Sequence, residues 1–567
     1  MSKILYVVFN SENIRKNKKQ KILEICNNLN PDNITPNPTE VEAWKNIKYG
    51  INNPVQKFMQ EEGSVLFGQA FGSVTNWSEV RGKVPDGNFA LFRTNSTHLE
   101  VVSDVVGTKS IWYYKDEEKF IVSTSQRAIV DYIGNFEFNE DVIPWMLTNG
   151  ILGPGNSWDT RLKLLEPDSS LLLNFSNWEL KKEVQEPQFK ANKCGIKENI
   201  QNLKSILNST FKELNLDYSL WKLSLSGGYD SRGNLLLLPK EDTNGHKLRT
   251  LTWGRKDSEN KQGSDAQVAQ QLANKFNLPH SYLELEETDE NFEIIFNRFL
   301  KNGEGRIDHI GGYLDGFKIW KKLFETGTGG IIRGDEVFGS YDYISEFHMK
   351  KFIGVSVYSD YQNLASIPYF QSLGQKLPDR YKRMEYESFA QWRDRLYETC
   401  YVPLRLSALS DLKENYVEQI NPLLSRQIIN AVRKLPDELR TDKKAWKSIV
   451  NQDSPNIPFA NSSSTTSVQN VIKGKEVVDL IMLELTTDLA KEIFPEEFRS
   501  YLLNSLVPEN TDKKMSADLF EKIKNLIPKT FKRKILKRTF TPNMDISVLN
   551  FRAFLILRMV KLFRQEQ

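Results

Sequence analysis

Lys222-Leu223-Ser224-Leu225-Ser226-Gly227-Gly228-Tyr229-Asp230-Ser231 reads as a strand, 222–225, that hands over through a glycine turn to a helix from about residue 232. Gly227 and Gly228 carry no side chains, so backbone N–H groups can close around an anion there. The helix N-terminus adds unpaired donors and a partial positive charge. Ser226 and Ser231 bring hydroxyl donors suited to phosphate oxygens. Asp230 repels a bare phosphate, so it requires a cation between them, and Mg²⁺ suits an oxygen ligand of this kind. The spacing is neither that of a P-loop nor that of the Rossmann glycine turn. The plainer reading is a strand–turn–helix connection with capping serines.

Outward from the turn, strands and helices alternate. Thr250-Leu251-Thr252-Trp253 is a strand followed by a helix near 264–276. Ser281-Tyr282-Leu283-Glu284-Leu285 comes next, then a helical stretch to about 325, then Gly330-Ile331-Ile332. Such alternation predicts a parallel sheet covered by helices on both faces. Residues from about 345 to 567 are mostly helical in period. Upstream, residues 1–185 hold short β-branched and aromatic runs such as Phe89-Ala90-Leu91-Phe92, Ile111-Trp112-Tyr113-Tyr114 and Phe120-Ile121-Val122. The polar Lys181–Pro187 segment reads as a linker, and the helical pattern of Ile200, Leu203, Ile206, Leu207 and Phe211 follows it. Two domains are expected, 1–185 and 196–567.

The 567 residues are 39% hydrophobic and 26% charged with a formal charge of +3, which fits a globular chain and no dedicated nucleic-acid binder. Cys26, Cys194 and Cys400 lie too far apart in sequence for a disulfide framework or a zinc cluster. The Met1–Phe9 run is too short for a secretory leader and reads as a buried strand. The most apolar stretch, Phe551–Phe563, is interrupted by Arg552, Arg558 and Lys561, so no membrane span is expected and a cytoplasmic setting is.

The glycine turn resembles the pyrophosphate loop of ATP pyrophosphatases, and the chain around it resembles the asparagine synthetase family. Thr250–Gly254 resembles the family's second strand. Gly263-Ser264-Asp265-Ala266, with Val268-Ala269, resembles its "SPD…A…A" helix start. Arg333–Tyr341 resembles "DE-x-FGGY", Val417–Leu424 resembles "E-x-R-x-P-F-L-D", and Leu435–Arg440 followed by Lys443, Lys444 and Lys447 resembles the "LP…K…K-x-x-L-R" end. The resemblance implies an α/β fold with an α+β part: an Ntn-hydrolase-like β-rich sandwich, then a parallel-sheet ATP-pyrophosphatase (HUP-like) domain with a helical C-terminal part. It implies ATP and Mg²⁺, with Ser226, Gly227, Gly228, Asp230 and Ser231 at the phosphates. Leu225, Trp253, Gly330 and Ile331 would lie around the adenosine. Asp230 and Asp335 would hold the metal. Lys444, with Lys447 second, would stabilise the oxyanion formed when an amine meets the acyl-adenylate.

The N-terminal half resembles the family's glutaminase domain in framework only. Asp86–Phe92, Ser103–Lys109 and Leu147–Pro167 match framework segments, but the family's cysteine after the initiator Met is Ser2 here. Ser2 is either a substitute nucleophile or part of a structural domain; Cys26 sits in a helical pattern as core. Ile332 occupies the place of the family's glutamate, which leaves Tyr341, Glu336, His309 or Glu304, or the product itself, to take the proton. Arg232 and Ile420 depart from the family pattern as well and suggest a substrate other than free aspartate. The basic stretch Lys529–Arg538 is either a surface for an acidic or peptide substrate or a solvated face. The expected activity is an ATP-dependent ligase that adenylates a carboxylate and forms an amide without glutamine hydrolysis. The carboxylate belongs to a peptide or a specialised metabolite, as in lasso-peptide cyclases and β-lactam synthetases. A small-molecule or peptide carboxylate would be the substrate and a precursor peptide or a protease a partner, with no nucleic acid or membrane involved. The alternatives are a catalytically silent relative acting as a binding or scaffold subunit, and an ammonia-dependent asparagine synthetase.

Overall fold

Strict alternation along the first strand sets the architecture of the N-terminal half. In the Ile4–Phe9 strand, Ile4, Tyr6 and Val8 enter one apolar cluster and Leu5, Val7 and Phe9 another, so both faces are buried. The computed structural model describes residues 3–10, 18–55, 58–286, 288–343, 345–462, 469–506 and 542–566. Two six-stranded antiparallel sheets face each other across Tyr6, Phe67, Phe92, Val101 and Leu171. The first sheet turns its other face to the Lys18–Asn28 and Gln126–Ile133 helices through Leu5, Val7, Ile22, Ile25 and Ile129. The second packs Leu66, Phe89 and Leu91 on Trp77. Ser2 lies outside the described residues. Cys26 is fully buried, and burial pushes its thiol up to about 12, as befits a core residue.

Beyond the Leu180–Val184 strand the chain enters the Ile196–Glu213 helix and then builds a five-stranded sheet. Its order is His280–Glu284, Arg249–Gly254, Trp221–Ser224, Gly330–Ile332, Glu418–Ile420, and every pairing is parallel. The chain thus starts in the middle, adds two strands on one side and crosses back to add two on the other. That reversal opens a crevice at the carboxyl ends of the central strands. The strands lie within a residue of their expected places. The fifth, three residues long, was visible only as a motif. The helix after the turn starts at Tyr229, three residues earlier than its apolar period suggests, because Gly228 caps it in extended conformation and its first turn is polar.

The two halves share one core. Leu5, Trp112 and Ile129 belong to the same apolar cluster as Phe299, Leu412 and Phe554. The Ile546–Gln565 helix is part of it. Its arginines have partners: Arg552 meets Asp308 at 2.7 Å, and Arg558 meets Glu293 and Glu484, each at 2.7 Å. Among the described residues no helix is long and apolar enough to cross a membrane.

Buried charge also joins the halves. Lys109 Nζ sits 3.0 Å from Glu414 and 2.9 Å from Glu418, and Lys3 Nζ sits 2.7 Å from Asp411. Asp86 accepts hydrogen bonds from Ser425 Oγ (2.6 Å) and the Arg426 N–H (2.7 Å), capping the Arg426–Arg433 helix from the other half. Removing one partner of a buried ionic cluster strands the others. Lys109→Met is therefore expected to cost about 3–5 kcal/mol of unfolding free energy in urea titration. A loss under about 1 kcal/mol would show that Glu414 and Glu418 do not depend on it.

Candidate active site at the edge of the parallel sheet

The glycine turn leaves the central strand at its carboxyl end. Gly227 is required by crowding: a Cβ there would lie 2.4 Å from Ala460 Cβ and 2.9 Å from Val268. The Ser226 and Ser231 hydroxyls are 2.9 Å apart, and Ser231 Oγ also accepts the Ser226 N–H at 3.0 Å. Ser226 Oγ accepts the Gly228 N–H at 3.3 Å. The Asp265 carboxylate lies beside the Gly227 N–H; burial raises its pKa and this neighbour lowers it. The segment 456–462 runs across the turn. Ala460 donates its N–H to the Gly227 carbonyl at 3.1 Å, and Arg232 donates to the carbonyls of Ile457 (2.8 Å) and Pro458 (3.0 Å). Phe459 packs between Tyr229 and the Arg232 guanidinium, 3.9 Å from each. Arg232 is fully buried in this role, so the expectation that it marks substrate choice is corrected: it anchors the covering segment.

Beside the turn, Lys443 stands between two carboxylates. Its Nζ is 3.1 Å from Asp230 Oδ2 and 2.6 Å from Glu336 Oε1. Trp446 Nε1 donates to Asp230 Oδ1 at 2.9 Å. Burial works against the Lys443 charge, yet Glu336 and Asp230 together hold its pKa well above the usual lysine value. Glu336 is almost fully buried; burial pushes its carboxyl up, Lys443 pulls it down and Asp230 adds to the rise. Gly334 lets the two strand-end segments touch: a Cβ there would stand 3.0 Å from the Asp230 backbone carbon and 3.2 Å from Asp230 Cβ. Asp335, next in sequence, is gripped by Arg333 at 3.2 and 3.3 Å, and its N–H donates to Asn421 Oδ1 at 3.1 Å. Asn421 in turn donates its N–H to Asn88 of the sandwich at 2.7 Å.

The structure therefore gathers Asp230 and Glu336 on Lys443 beside the turn of Ser226, Gly227, Gly228 and Ser231, turns the Asp335 carboxylate to Arg333, and leaves other expected residues elsewhere. Lys444 turns to solvent, half exposed, 3.4 Å from Glu438, and Lys443 takes the inward place. Asp442 (φ 57°) and Lys443 (φ 54°) form a left-handed step before the Lys444–Asp453 helix, and this step aims the side chains. Lys447 pairs with Asp442 at 2.9 Å. Tyr341 is 60% exposed, and its carbonyl accepts from Arg393 at 3.2 Å. Glu304 is buried far from the turn, where it accepts the Gln126 N–H (2.8 Å) and the Ser125 hydroxyl at a helix start. His309 is exposed. Leu225 and Ile331 are core on opposite faces of the sheet, and a side chain at Gly330 would enter the Trp221 ring at 2.2 Å, so these three shape the strands instead of facing a ligand. Trp253, half-buried, sets its ring edge-on to Trp320 at 5.4 Å. Ile332 and Ile420 are buried neighbours in adjacent strands. The Lys529–Arg538 stretch lies outside the described residues.

Asp265 and Asn421 lie in segments that stand out in the sequence but carried no role of their own there, and Trp446 and the 456–462 cover had no distinctive sequence signal, since each acts through a contact made across the fold. Two carboxylates with only oxygen donors suit a hard divalent cation such as Mg²⁺. Asp230 and Asp335 keep lone pairs beyond those used by Lys443, Trp446 and Arg333, and both side chains are partly exposed, at 32% and 15%.

No protein-family model matches the chain, and no curated protein matches it. Among solved structures it is similar to the U34-tRNA thiolase NcsA from Methanococcus maripaludis, determined with its 4Fe-4S cluster. That match covers 57% of this chain and 90% of that one, at 14% identity and a TM-score of 0.20. At that score the likeness carries no argument about chemistry, which rests on the residues above.

The lysine assignment has a direct check in stability. Lys443→Met leaves Asp230 and the buried Glu336 facing each other without a cation, and partial exposure of the site softens the cost to about 1–3 kcal/mol in urea unfolding. Lys444→Met should change stability by less than about 0.5 kcal/mol. The reverse order of effects would return the inward role to Lys444.

Proposed function

We propose that this chain is an ATP-dependent ligase that adenylates a carboxylate and passes the acyl group to an amine, without glutamine as nitrogen source. The observation that carries the reading is the glycine turn at the switch point of a parallel sheet, flanked by Asp230, Glu336, Asp335 and the bridging Lys443. Backbone donors of the turn and of the Tyr229–Leu237 helix bind the β- and γ-phosphates of ATP. Asp230 and Asp335 hold Mg²⁺, which neutralises charge as pyrophosphate leaves. Lys443, with Asp230 and Glu336 fixing its direction, offers a cation to the oxyanion that forms when the amine adds. Glu336 is the carboxylate placed to accept the amine's proton, in the absence of a glutamate at Ile332. A peptide or specialised-metabolite carboxylate is the substrate class, with a precursor peptide and a protease as partners.

One feature favours a second reading, a silent relative acting as a binding or scaffold subunit: the 456–462 segment already engages the Gly227 carbonyl. Nucleotide binding separates the two. MgATP at about 100 times its dissociation constant should stabilise the protein by about 2.7 kcal/mol, read as a rise in melting temperature. Asp230→Asn should remove most of that rise, and Lys444→Met should keep it. ATP–pyrophosphate exchange with a panel of free and peptide carboxylates should be lost in Asp230→Asn, whereas Lys443→Met should lose amide formation more than exchange. An equal thermal response in wild type and Asp230→Asn, or no response and no exchange, favours the silent reading.

A further inference from the structure

Lys413 is a buried lysine with no anion at ion-pair distance among the described residues. The Ser407–Glu414 helix packs Ala408 and Leu412 into the cluster that holds Leu251 and Ile331, on one face of the parallel sheet. The helix after the glycine turn packs Leu235 with Leu223, Leu225 and Ile332 on the other face. Lys413 therefore lies on the face of the sheet opposite the helix of the phosphate turn, near enough to Arg333 and Asp335, just past the Gly330–Ile332 strand, to feel both charges. It is 4% exposed, and its Nζ lies 5.5 Å from the centroid of the Trp320 ring, whose edge meets Trp253.

The acids of its own helix are already engaged. Asp411 is held by Lys3 at 2.7 Å and by Arg306, and Glu414 by Lys109 at 3.0 Å. The charges that Lys413 feels beyond its helix are Arg333 and Asp335, and Arg333 grips Asp335 in a two-point contact. His309 and Arg405 belong to the same field. Among the described residues no carboxylate comes within ion-pair distance of the Lys413 ammonium. Burial, with Arg333 adding to it, pushes the lysine's pKa well down, so the charged form is costly until an anion arrives. A buried ammonium with an aromatic face and no counter-ion is poorly explained as a stabilising element.

We infer that Lys413, with Arg333 beside it, receives the carboxylate of the substrate. The inference rests on the ligase reading for its chemistry. In an in-line displacement at the α-phosphorus, a carboxylate oxygen forms the new P–O bond as the bond to the bridging oxygen of pyrophosphate breaks. The electron pair leaves with pyrophosphate, and no proton moves. Nucleophile and leaving group must then lie on opposite sides of the phosphorus, and the helix of the glycine turn and Lys413 lie on opposite faces of the sheet. Lys413 is thus a specificity-determining residue for the anionic end of the substrate.

The probes are sodium acetate and disodium succinate, titrated against sodium chloride at equal ionic strength. Melting temperature is the readout for wild type, Lys413→Met, Lys413→Gln and the surface control Lys444→Met. At least one carboxylate should raise the wild-type and Lys444→Met melting temperatures saturably, with an apparent affinity at least about tenfold weaker in both Lys413 variants. Without carboxylate, Lys413→Met should melt at or above wild type, since it removes an unpaired buried amine. Equal carboxylate responses in wild type and the Lys413 variants, or no response in any protein, overturns the inference. MgATP titration of the same proteins keeps the two questions apart. A preserved MgATP response in Lys413→Met together with a lost carboxylate response assigns Lys413 to the carboxylate. Absence of a MgATP response in every protein counts against the ligase reading and leaves the anion result standing by itself.

Discussion

Asp230 and Glu336 come from different parts of the chain, and Lys443 is the cation that lets them share the carboxyl end of the central strands. Two carboxylates that close repel each other, more so where Glu336 is cut off from water. With the ammonium between them, three pieces converge: the first turn of the Tyr229–Leu237 helix, the segment after the Gly330–Ile332 strand, and the start of the Lys444–Asp453 helix. Gly334 is part of the same constraint, because any side chain there would push the second piece away from the first. The indole N–H of Trp446 then fixes the remaining oxygen of Asp230. The site's geometry is in this sense the solution to an electrostatic problem.

The sandwich takes part in that solution from a distance. Asn88 accepts the Asn421 N–H, and Asn421 accepts the Asp335 N–H, so the turn that begins the Asp86–Thr94 strand helps to hold a carboxylate of the other half. Asp86 caps a helix across the interface, and Lys109 is buried against Glu414 and Glu418. These are the Asp86–Phe92 and Ser103–Lys109 segments that stand out in the sequence. Their residues make docking contacts whether or not the sandwich carries chemistry of its own.

What could be read from the sequence follows what is local. Strand alternation and the glycine turn declare themselves through periodicity and through residues that only one backbone shape suits. The parallel strands accordingly fall within a residue of expectation. The inward lysine did not declare itself. Lys443 and Lys444 are chemically identical neighbours, and a left-handed step at Asp442 and Lys443 decides which one meets the carboxylates. Arg232 looked like a departure at a ligand site because its partners, Ile457 and Pro458, lie more than two hundred residues away. Glu304 and Tyr341 were plausible bases by residue type alone. One turned out to cap a helix, and the other projects into solvent. Direction and distance are tertiary facts, and composition does not contain them.

The carboxylate of Asp265 beside the Gly227 N–H has a consequence for affinity. It is a tethered anion at a donor that suits phosphate, present at the high effective concentration of an intramolecular ligand. Any incoming phosphate that uses this donor must first displace it. Its measured dissociation constant is then the intrinsic one divided by the fraction of molecules in which Asp265 has let go. Under the ligase reading the chain thus carries its own competitor, and a change at Asp265 would tune nucleotide affinity without altering a single contact to the nucleotide.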